Sequence, residues 1–184
     1  MTFITAEIGI NHNGSIEIAK KLIDVASSAG CDAVKFQKRN VEKVYLKKVL
    51  DTYRESMWGT TTREQKLGLE FSEKQYTKID QYCKKKKILW YLSCWDVGSQ
   101  IQMRKFKTKY NKVASAMLLH TKLLETIAEE GKYTFISTGM STMNEISNAV
   151  KIFRNHDCPF ELMHSHSAYP MPPHEANLKM IQTL

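Results

Sequence analysis

The residues with the clearest chemical potential are a lysine and a glutamine in the apolar stretch AVKFQ. Lys35 and Gln37 are two residues apart, so a strand would place both side chains on the same face. A lysine in such surroundings is costly to bury unless an anion accompanies it. We therefore interpret Lys35 as a ligand for a phosphate or carboxylate group. The alternative is an ion pair with an acid of a neighbouring strand, for which Glu7 would serve.

A second candidate anion contact follows later in the chain. Lys112 and Ser115 lie in another predicted strand, although Lys112 could instead begin that strand at its solvent-exposed edge. Ser137 ends the next predicted strand and precedes the small-residue turn TGMS, whose backbone N–H groups could receive an anion at the start of a helix. The alternative interpretation of this segment is an ordinary turn with a helix cap.

The histidines and cysteines do not form a recognisable metal-binding pattern. His164 and His166 have a spacing that can place two imidazoles on one metal, but no third ligand of suitable spacing accompanies them. A structural role is therefore favoured, and no residue is assigned to a metal. The cysteines are scattered without a CxxC pair, and Cys94 is interpreted as a packed thiol.

The composition is that of an ordinary globular protein, with 184 residues, 42% hydrophobic and 25% charged. No apolar run approaches the roughly 18 residues of a membrane span, and the amino terminus does not resemble a secretory signal. We therefore predict a cytoplasmic protein with no membrane partner. The net charge of +8 would also suit nucleic acid. The densest basic run, residues 84–87, lies at a predicted helix end without interleaved aromatics, so we interpret it as a solvated face and predict no nucleic-acid partner.

Strand-like and helix-like segments alternate along the chain and must position these side chains. The predicted strands are 3–8, 33–37, 88–93, 112–117, 134–137 and 160–164, with a long basic segment, 38–71, after the second. Helices are predicted after caps at Ser15, Ser72 and Thr142, near 98–106, before Gly131 and over 177–184. Steady βα alternation implies a parallel sheet covered by helices.

Two architectures fit this alternation, an open doubly wound sheet and a (β/α)₈ barrel. No GxGxxG follows the first strand, which weakens the dinucleotide-binding version of the open sheet. Polar residues at many strand ends favour the barrel. Because a barrel needs eight strands, we predict the α/β class and an incomplete TIM-type (β/α) barrel of about six of eight βα units.

Four sequence blocks stand out in order along the chain. They are AEIGINHNG at 6–14, AVKFQ at 33–37, ISTGM at 136–140, and the segment 164–172 with its Tyr-Pro pair. These blocks resemble the sialic acid synthase (N-acetylneuraminate synthase) family. The resemblance implies a barrel that condenses phosphoenolpyruvate with N-acetylmannosamine or a related acyl-amino sugar, with manganese or magnesium polarising the aldehyde as a Lewis acid.

The resemblance also implies roles for the polar strand ends. The residues that would bind substrate, mainly the phosphate and carboxylate of phosphoenolpyruvate, are Lys35, Lys112, Ser115, Ser137 and Ser167. The catalytic residues facing the acceptor sugar would be Glu7, Gln37 and Tyr169. The sequence departs from the family pattern at Ser93-Cys94-Trp95 in place of Ser-Thr-Pro, at Met117 in place of a glutamate that contacts the acceptor, and at Ser167 in place of Asn.

Residues 1–184 are predicted to form one partial synthase barrel domain with strands one to six. In the family, strands seven and eight carry the metal-binding histidines, and a C-terminal antifreeze-like domain caps the partner subunit's site. Neither segment is recognised in this sequence, so we expect the metal ligands to lie outside it and the chain to act as a homo-oligomer or with a complementing fragment. The alternatives are a catalytically dead anion-binding or scaffold fragment, and a synthase for a different nonulosonic acid.

Overall fold

The computed structural model describes residues 2–184, which fold as two compact units. Among these residues, unit 1 ends at Lys109 and unit 2 spans Tyr110–Leu184. Both units alternate strands with helices, as the sequence predicts. No helix in this described part of the chain is long and apolar enough to cross a membrane.

Unit 1 is built on a parallel sheet. Its elements, in chain order, are β1 (Thr5–Gly9), α1 (Ile16–Ser28), β2 (Ala33–Lys38), α2 (Val41–Val44), α3 (Lys47–Leu50), β3 (Tyr53–Ser56), β4 (Gly59–Thr61), α4 (Thr62–Leu69), α5 (Glu73–Lys86), β5 (Leu89–Cys94) and α6 (Val97–Met103), with a 3-10 turn at Arg104–Phe106. β2 pairs in parallel with β1 on one side and with β5 on the other. This register places Lys35 between Glu7 and Tyr91.

The helices α1 and α5 begin at the predicted caps. The Ser15 hydroxyl accepts a hydrogen bond from the Ile18 backbone, and Ser72 forms a reciprocal capping box with Gln75. α5 ends in the lysine run, whose side chains are mostly exposed to solvent. Cations at this end of a helix are favoured by its dipole, so the interpretation of the run as a solvated face is confirmed.

Aromatic packing fixes the face of β2 that meets the helices. Phe36 meets Tyr76 and Trp90 edge to face, with ring centroids 6.4 Å apart in both pairs. The Tyr76 hydroxyl donates to the Gln37 carbonyl at 2.5 Å, and burial raises the pKa of this phenol well above its ordinary value. Because Phe36 faces the helices, Lys35 and Gln37 on either side of it face the opposite way.

The long basic segment after β2 is more ordered than its composition indicates. It forms α2 and α3, the antiparallel hairpin β3–β4, and then α4, which begins at a capping box between Thr61 and Glu64. The segment returns beside β2 at its end, where Lys38 donates to the Phe71 carbonyl at 3.0 Å. Residues separated by more than thirty positions therefore become neighbours at the end of β2.

Unit 2 repeats the strand–helix pattern. Its elements are β6 (Asn111–Val113), α7 (Thr121–Ala128), β7 (Thr134–Ser137), α8 (Met143–Asn155), β8 (Phe160–Met163) and α9 (Met180–Thr183), with 3-10 turns at Ser115–Met117 and Pro173–Glu175. β7 pairs in parallel with β6 and with β8. α8 begins at the predicted capping box between Thr142 and Glu145.

The predicted strand 112–117 is too long. β6 ends at Val113, and in the following turn the backbone N–H groups of Met117 and Leu118 donate to carbonyls three residues earlier, at 2.8 and 3.2 Å. The run after Val113 contains no β-branched residue, and the turn buries Leu118. Ser115 therefore begins a 3-10 turn instead of lying within a strand.

Candidate functional site

Lys35 lies in unit 1 with its ammonium group among polar partners. Its side chain is buried, and Nζ is 2.6 Å from a carboxylate oxygen of Glu7 and 3.4 Å from the Ser93 hydroxyl. The register of β1 and β2 sets these partners beside it. The structure thus shows the ion pair that the sequence offers as the alternative. The Glu7 side chain in this pair is 58% exposed. The ion pair does not test whether Lys35 also binds an anionic ligand, so that role stays a prediction.

Gln37 is joined to Arg39, a residue that sequence reasoning missed. Arg39 Nη2 donates to Gln37 Oε1 at 2.6 Å, and Arg39 is only 5% exposed. Its Nε lies 2.7 Å from Glu70 Oε1, and its guanidinium covers the Trp95 ring at 4.8 Å from the centroid. The signal that could have found it is a charged residue directly after a buried strand.

A polar cavity of about 460 Å³ lies at the carboxyl end of β2 in unit 1. Cations and carboxylates share its lining, which includes Lys38, Arg39, Lys43, Glu70, Asp96 and Ser99. Asp96 caps α6 by accepting from the Ser99 backbone at 2.8 Å, and it also accepts from the Asn40 backbone at 2.7 Å. Much of the acidic lining is therefore engaged in holding the loops that form the cavity.

His12 is a second residue that the sequence analysis left unassigned. It is 2% exposed, stacks on Phe71 with centroids 3.8 Å apart, and accepts at Nδ1 from the Gly14 backbone at 3.1 Å. Burial lowers the pKa of its ring from 6.5 to about 4, against a smaller opposing effect of a hydrogen bond with the Gly9 backbone. The neutral ring therefore fixes the loop after β1, the strand that carries Glu7.

Lys112 is the buried strand lysine of unit 2, as Lys35 is in unit 1. It is 5% exposed, and its Nζ donates to the Val113 carbonyl at 2.9 Å and also contacts the Ser137 hydroxyl. The alternative that Lys112 begins its strand at a solvent-exposed edge is therefore wrong. Ser137 is itself 9% exposed, so the structure brings these two predicted substrate-binding residues together in a buried setting.

The turn after β7 gathers two further predicted residues. The Gly139 N–H donates to the Ser115 hydroxyl at 3.1 Å, and the Thr138 N–H donates to the Met163 carbonyl at 3.1 Å. A Cβ at Gly139 would lie 2.7 Å from Ser167 Oγ and 3.0 Å from Ser115 Oγ, so only glycine fits between these serines. The two backbone N–H groups are engaged within the protein, which favours the interpretation as an ordinary turn.

The segment after β8 carries the remaining predicted residues. Tyr169 is 93% exposed, so the structure does not bury it beside Ser115 and Ser167 at Gly139. His164 Nε2 is 2.8 Å from the Ala176 carbonyl, and His166 Nε2 is 3.0 Å from a Glu175 carboxylate oxygen. Each imidazole is thus held by its own loop, in line with a structural role.

Comparison with known proteins places these residues in a family. The sequence model of the NeuB family matches residues 22–184. The chain belongs to the NeuB family. Among its curated relatives, N-acetylneuraminate-9-phosphate synthase of Mus musculus is 35% identical over 97% of this chain, and N,N'-diacetyllegionaminic acid synthase of Campylobacter jejuni is 30% identical over 100% of it. The NeuB-family chain spans about half the length of these relatives, 50% and 57% respectively.

A solved structure supports the fold of this NeuB-family chain. The crystal structure of N-acetylneuraminic acid (sialic acid) synthetase from Leptospira borgpetersenii matches 98% of this chain and 60% of that chain, with a TM-score of 0.87 and 32% identity. Over the described residues, the prediction of an incomplete TIM-type (β/α) barrel is confirmed. The resemblance to sialic acid synthases is confirmed as well.

Proposed function

We propose that this chain serves in the condensation of phosphoenolpyruvate with N-acetylmannosamine or a related acyl-amino sugar. The proposal is supported by the NeuB-family assignment, by the synthase names of the relatives and by the polar residues along the strands. In this reaction the enol carbon of phosphoenolpyruvate bonds to the aldehyde carbon of the sugar, water adds to the resulting cationic carbon, and phosphate leaves. The product is a sialic acid-type sugar of carbohydrate biosynthesis.

The observation that carries the proposal is a buried lysine beside a hydroxyl group in each unit. Lys35 is 3.4 Å from the Ser93 hydroxyl in unit 1, and Lys112 contacts the Ser137 hydroxyl in unit 2. Ammonium and hydroxyl groups are suitable donors for phosphate and carboxylate oxygens. We therefore propose that both lysines bind phosphoenolpyruvate, together with Ser115, Ser137 and Ser167.

The acceptor sugar is assigned to residues of different chemistry. Glu7 offers a largely exposed carboxylate that can accept hydrogen bonds from sugar hydroxyls. Gln37 offers an amide at the end of β2, and Tyr169 an exposed phenol. Met117, in a place where the family has a glutamate, cannot accept a proton, which favours a different nonulosonic acid product as the second candidate.

The divalent metal expected from the resemblance does not fit the described residues. Within residues 2–184, no group of three or more His, Cys, Asp or Glu side chains could hold a metal ion. His164 and His166 have the partners described above. We therefore propose that manganese or magnesium would be held by residues outside this chain, and we assign only binding and orientation to the residues within it.

A complete site then requires further polypeptide, from a second copy or a complementing fragment. We propose cytoplasmic assembly of this kind, without a nucleic-acid or membrane partner. Phosphate release from phosphoenolpyruvate, with manganese and N-acetylmannosamine present, is expected to be absent for the 184-residue chain alone. Release by that chain would show that these residues suffice. A scaffold fragment would bind the anion and show no release in any assembly.

Binding of phosphoenolpyruvate tests the assignment of Lys35 directly. Isothermal titration calorimetry should detect binding by the chain, and Lys35→Met should raise the dissociation constant about tenfold or more because a charged donor is lost. Lys21→Met is the matched control, since Lys21 is an exposed lysine of α1, and its dissociation constant should stay within about twofold. Equal affinities for all three proteins, or no binding by the unsubstituted chain, would contradict the proposal.

A further inference from the structure

The Gln37 side chain is held by a single strong hydrogen bond. Arg39 Nη2 donates to Gln37 Oε1 at 2.6 Å. A guanidinium has donors and no acceptor, so the amide oxygen must face it and the amide NH₂ group must face away. Reversing the amide would set two donors against each other. Gln37 is therefore fixed as a hydrogen-bond donor toward whatever lies beyond its nitrogen.

The space beyond that nitrogen is bordered by Gly9 at the end of β1. Gln37 Nε2 lies 3.4 Å from the position that a Cβ would take at Gly9, whose φ is +53°. No acceptor for Nε2 is found among residues 2–184. Both amide protons are thus available to an oxygen atom of a ligand.

Arg39 is held more firmly than the side chain it orients. Its Nη1 donates to the Tyr45 hydroxyl at 2.7 Å, and its Nε forms an ion pair with Glu70 at 2.7 Å, outside the direction of a hydrogen bond. The planar guanidinium also stacks on Trp95. With 5% of Arg39 exposed, the guanidinium has little room to move. The amide of Gln37 must therefore adapt to Arg39.

We propose that Arg39 is a positioning residue that presents the Gln37 amide as a donor to a carbonyl or hydroxyl oxygen of the acceptor sugar. The inference rests on the proposed function, because the acceptor role of Gln37 is part of that proposal. It adds a requirement on the ligand: the atom facing Gln37 is a hydrogen-bond acceptor. A sugar with a donor-only group at that place, such as an ammonium, is disfavoured.

Side-chain NMR relaxation tests the positioning without any ligand. The Gln37 side-chain amide should be ordered in the unsubstituted chain, and Arg39→Met should lower its order parameter. Lys38→Met is the matched control, because Lys38 also pairs with Glu70, at 3.3 Å, yet is not the donor to Gln37. Arg39→Lys keeps the charge opposite Glu70 and serves if Arg39→Met does not fold. An unchanged order parameter in the folded Arg39 variants overturns the proposal.

Ligand affinities separate this inference from the proposed function. Arg39→Met should raise the dissociation constant for N-acetylmannosamine about tenfold and leave that for phosphoenolpyruvate within about twofold. In a Gln37→Ala background it should have no further effect. Additive losses, or equal losses for both ligands, overturn the inference. If the chain binds phosphoenolpyruvate but not the sugar, the inference about Arg39 is wrong and the proposed function is not affected. If the chain does not bind phosphoenolpyruvate, both the proposed function and the inference are refuted.

Discussion

Unit 1 and unit 2 hold their candidate site residues by different physical means. In unit 1 the decisive contacts include buried ion pairs, such as Arg39 with Glu70 at 2.7 Å. In unit 2 the ammonium group of Lys112 contacts Ser137, but the turn after β7 depends on a steric contact, because an added Cβ at Gly139 would lie 3.0 Å from the Ser115 hydroxyl oxygen. Ion pairs depend on the charge of each partner, whereas close packing depends on volume and hardly on charge. The two units should therefore fail under different substitutions.

Removal of the Glu70 charge should give the largest effect and confine it to unit 1. Glu70→Gln keeps the shape but leaves Arg39 and Lys38 without their counter-charge, a loss of about 3–5 kcal/mol when one partner of a buried pair is removed. Native-state hydrogen exchange should show lower protection in β2 and unchanged protection in β7. Glu17→Gln, which breaks an exposed pair with Lys20, should cost less than about 0.5 kcal/mol. Equal losses in both units would remove the distinction between them.

Acid should weaken unit 1 through His12. The unfolded ring takes up a proton near pH 6.5, whereas the folded ring does so near its pKa of about 4. The unfolded state therefore binds more protons between these values, and the free energy of unfolding falls as the pH falls from 6.5 to 4. The loss is on the order of 3 kcal/mol, because each unit of pKa difference corresponds to about 1.4 kcal/mol.

An NMR titration of the imidazole protons measures this directly. The His12 resonances should titrate near pH 4, and His12→Gln should remove the corresponding part of the pH dependence of unfolding. The control is His156→Gln, which replaces an exposed histidine of unit 2 and should leave the titration of His12 near pH 4 unchanged. A His12 ring that titrates near pH 6.5 would show that unit 1 does not sense acid in this way.

Added volume should weaken unit 2 at Gly139. Gly139→Ala places a Cβ 2.7 Å from Ser167 Oγ and 2.9 Å from the Ser165 carbonyl, so chemical denaturation should show a loss of about 2 kcal/mol. Gly131→Ala is the control in the same unit, because its φ is +60° but nothing lies within 4 Å of the added atom. That variant should lose only about 1 kcal/mol, through backbone conformation. The steric account fails if Gly139→Ala costs no more than the control.

Local patterns sufficed for most strands and caps but not for the contacts that hold the sites. The alternation around Phe36 predicts that Lys35 and Gln37 share a face, and the aromatic core confirms it. Arg39 could not be assigned, because its partner Glu70 is 31 residues away and reaches it only through the hairpin segment. The burial that perturbs His12 likewise comes from a distant residue, so neither effect has a periodic signature.

Helix caps provide the smallest predicted effect and a test of similarity between the units. Ser72→Ala in α5 and Thr142→Ala in α8 each remove a capping box and should each cost about 1 kcal/mol, measured by amide exchange in the first turn. The boxes differ in one respect, because Gln75 does not titrate, whereas hydrogen bonds from Thr142 lower the pKa of Glu145. The contribution of Glu145 is present above its unfolded pKa and lost as the pH falls through its lower folded value. The first turn of α5 also contains Glu73, whose pKa is lowered by hydrogen bonds with Lys105 and Gln102, so the comparison is made in a Glu73→Gln background. There, acid should weaken the start of α8 and spare that of α5, and the opposite result would show that charge does not distinguish the two caps.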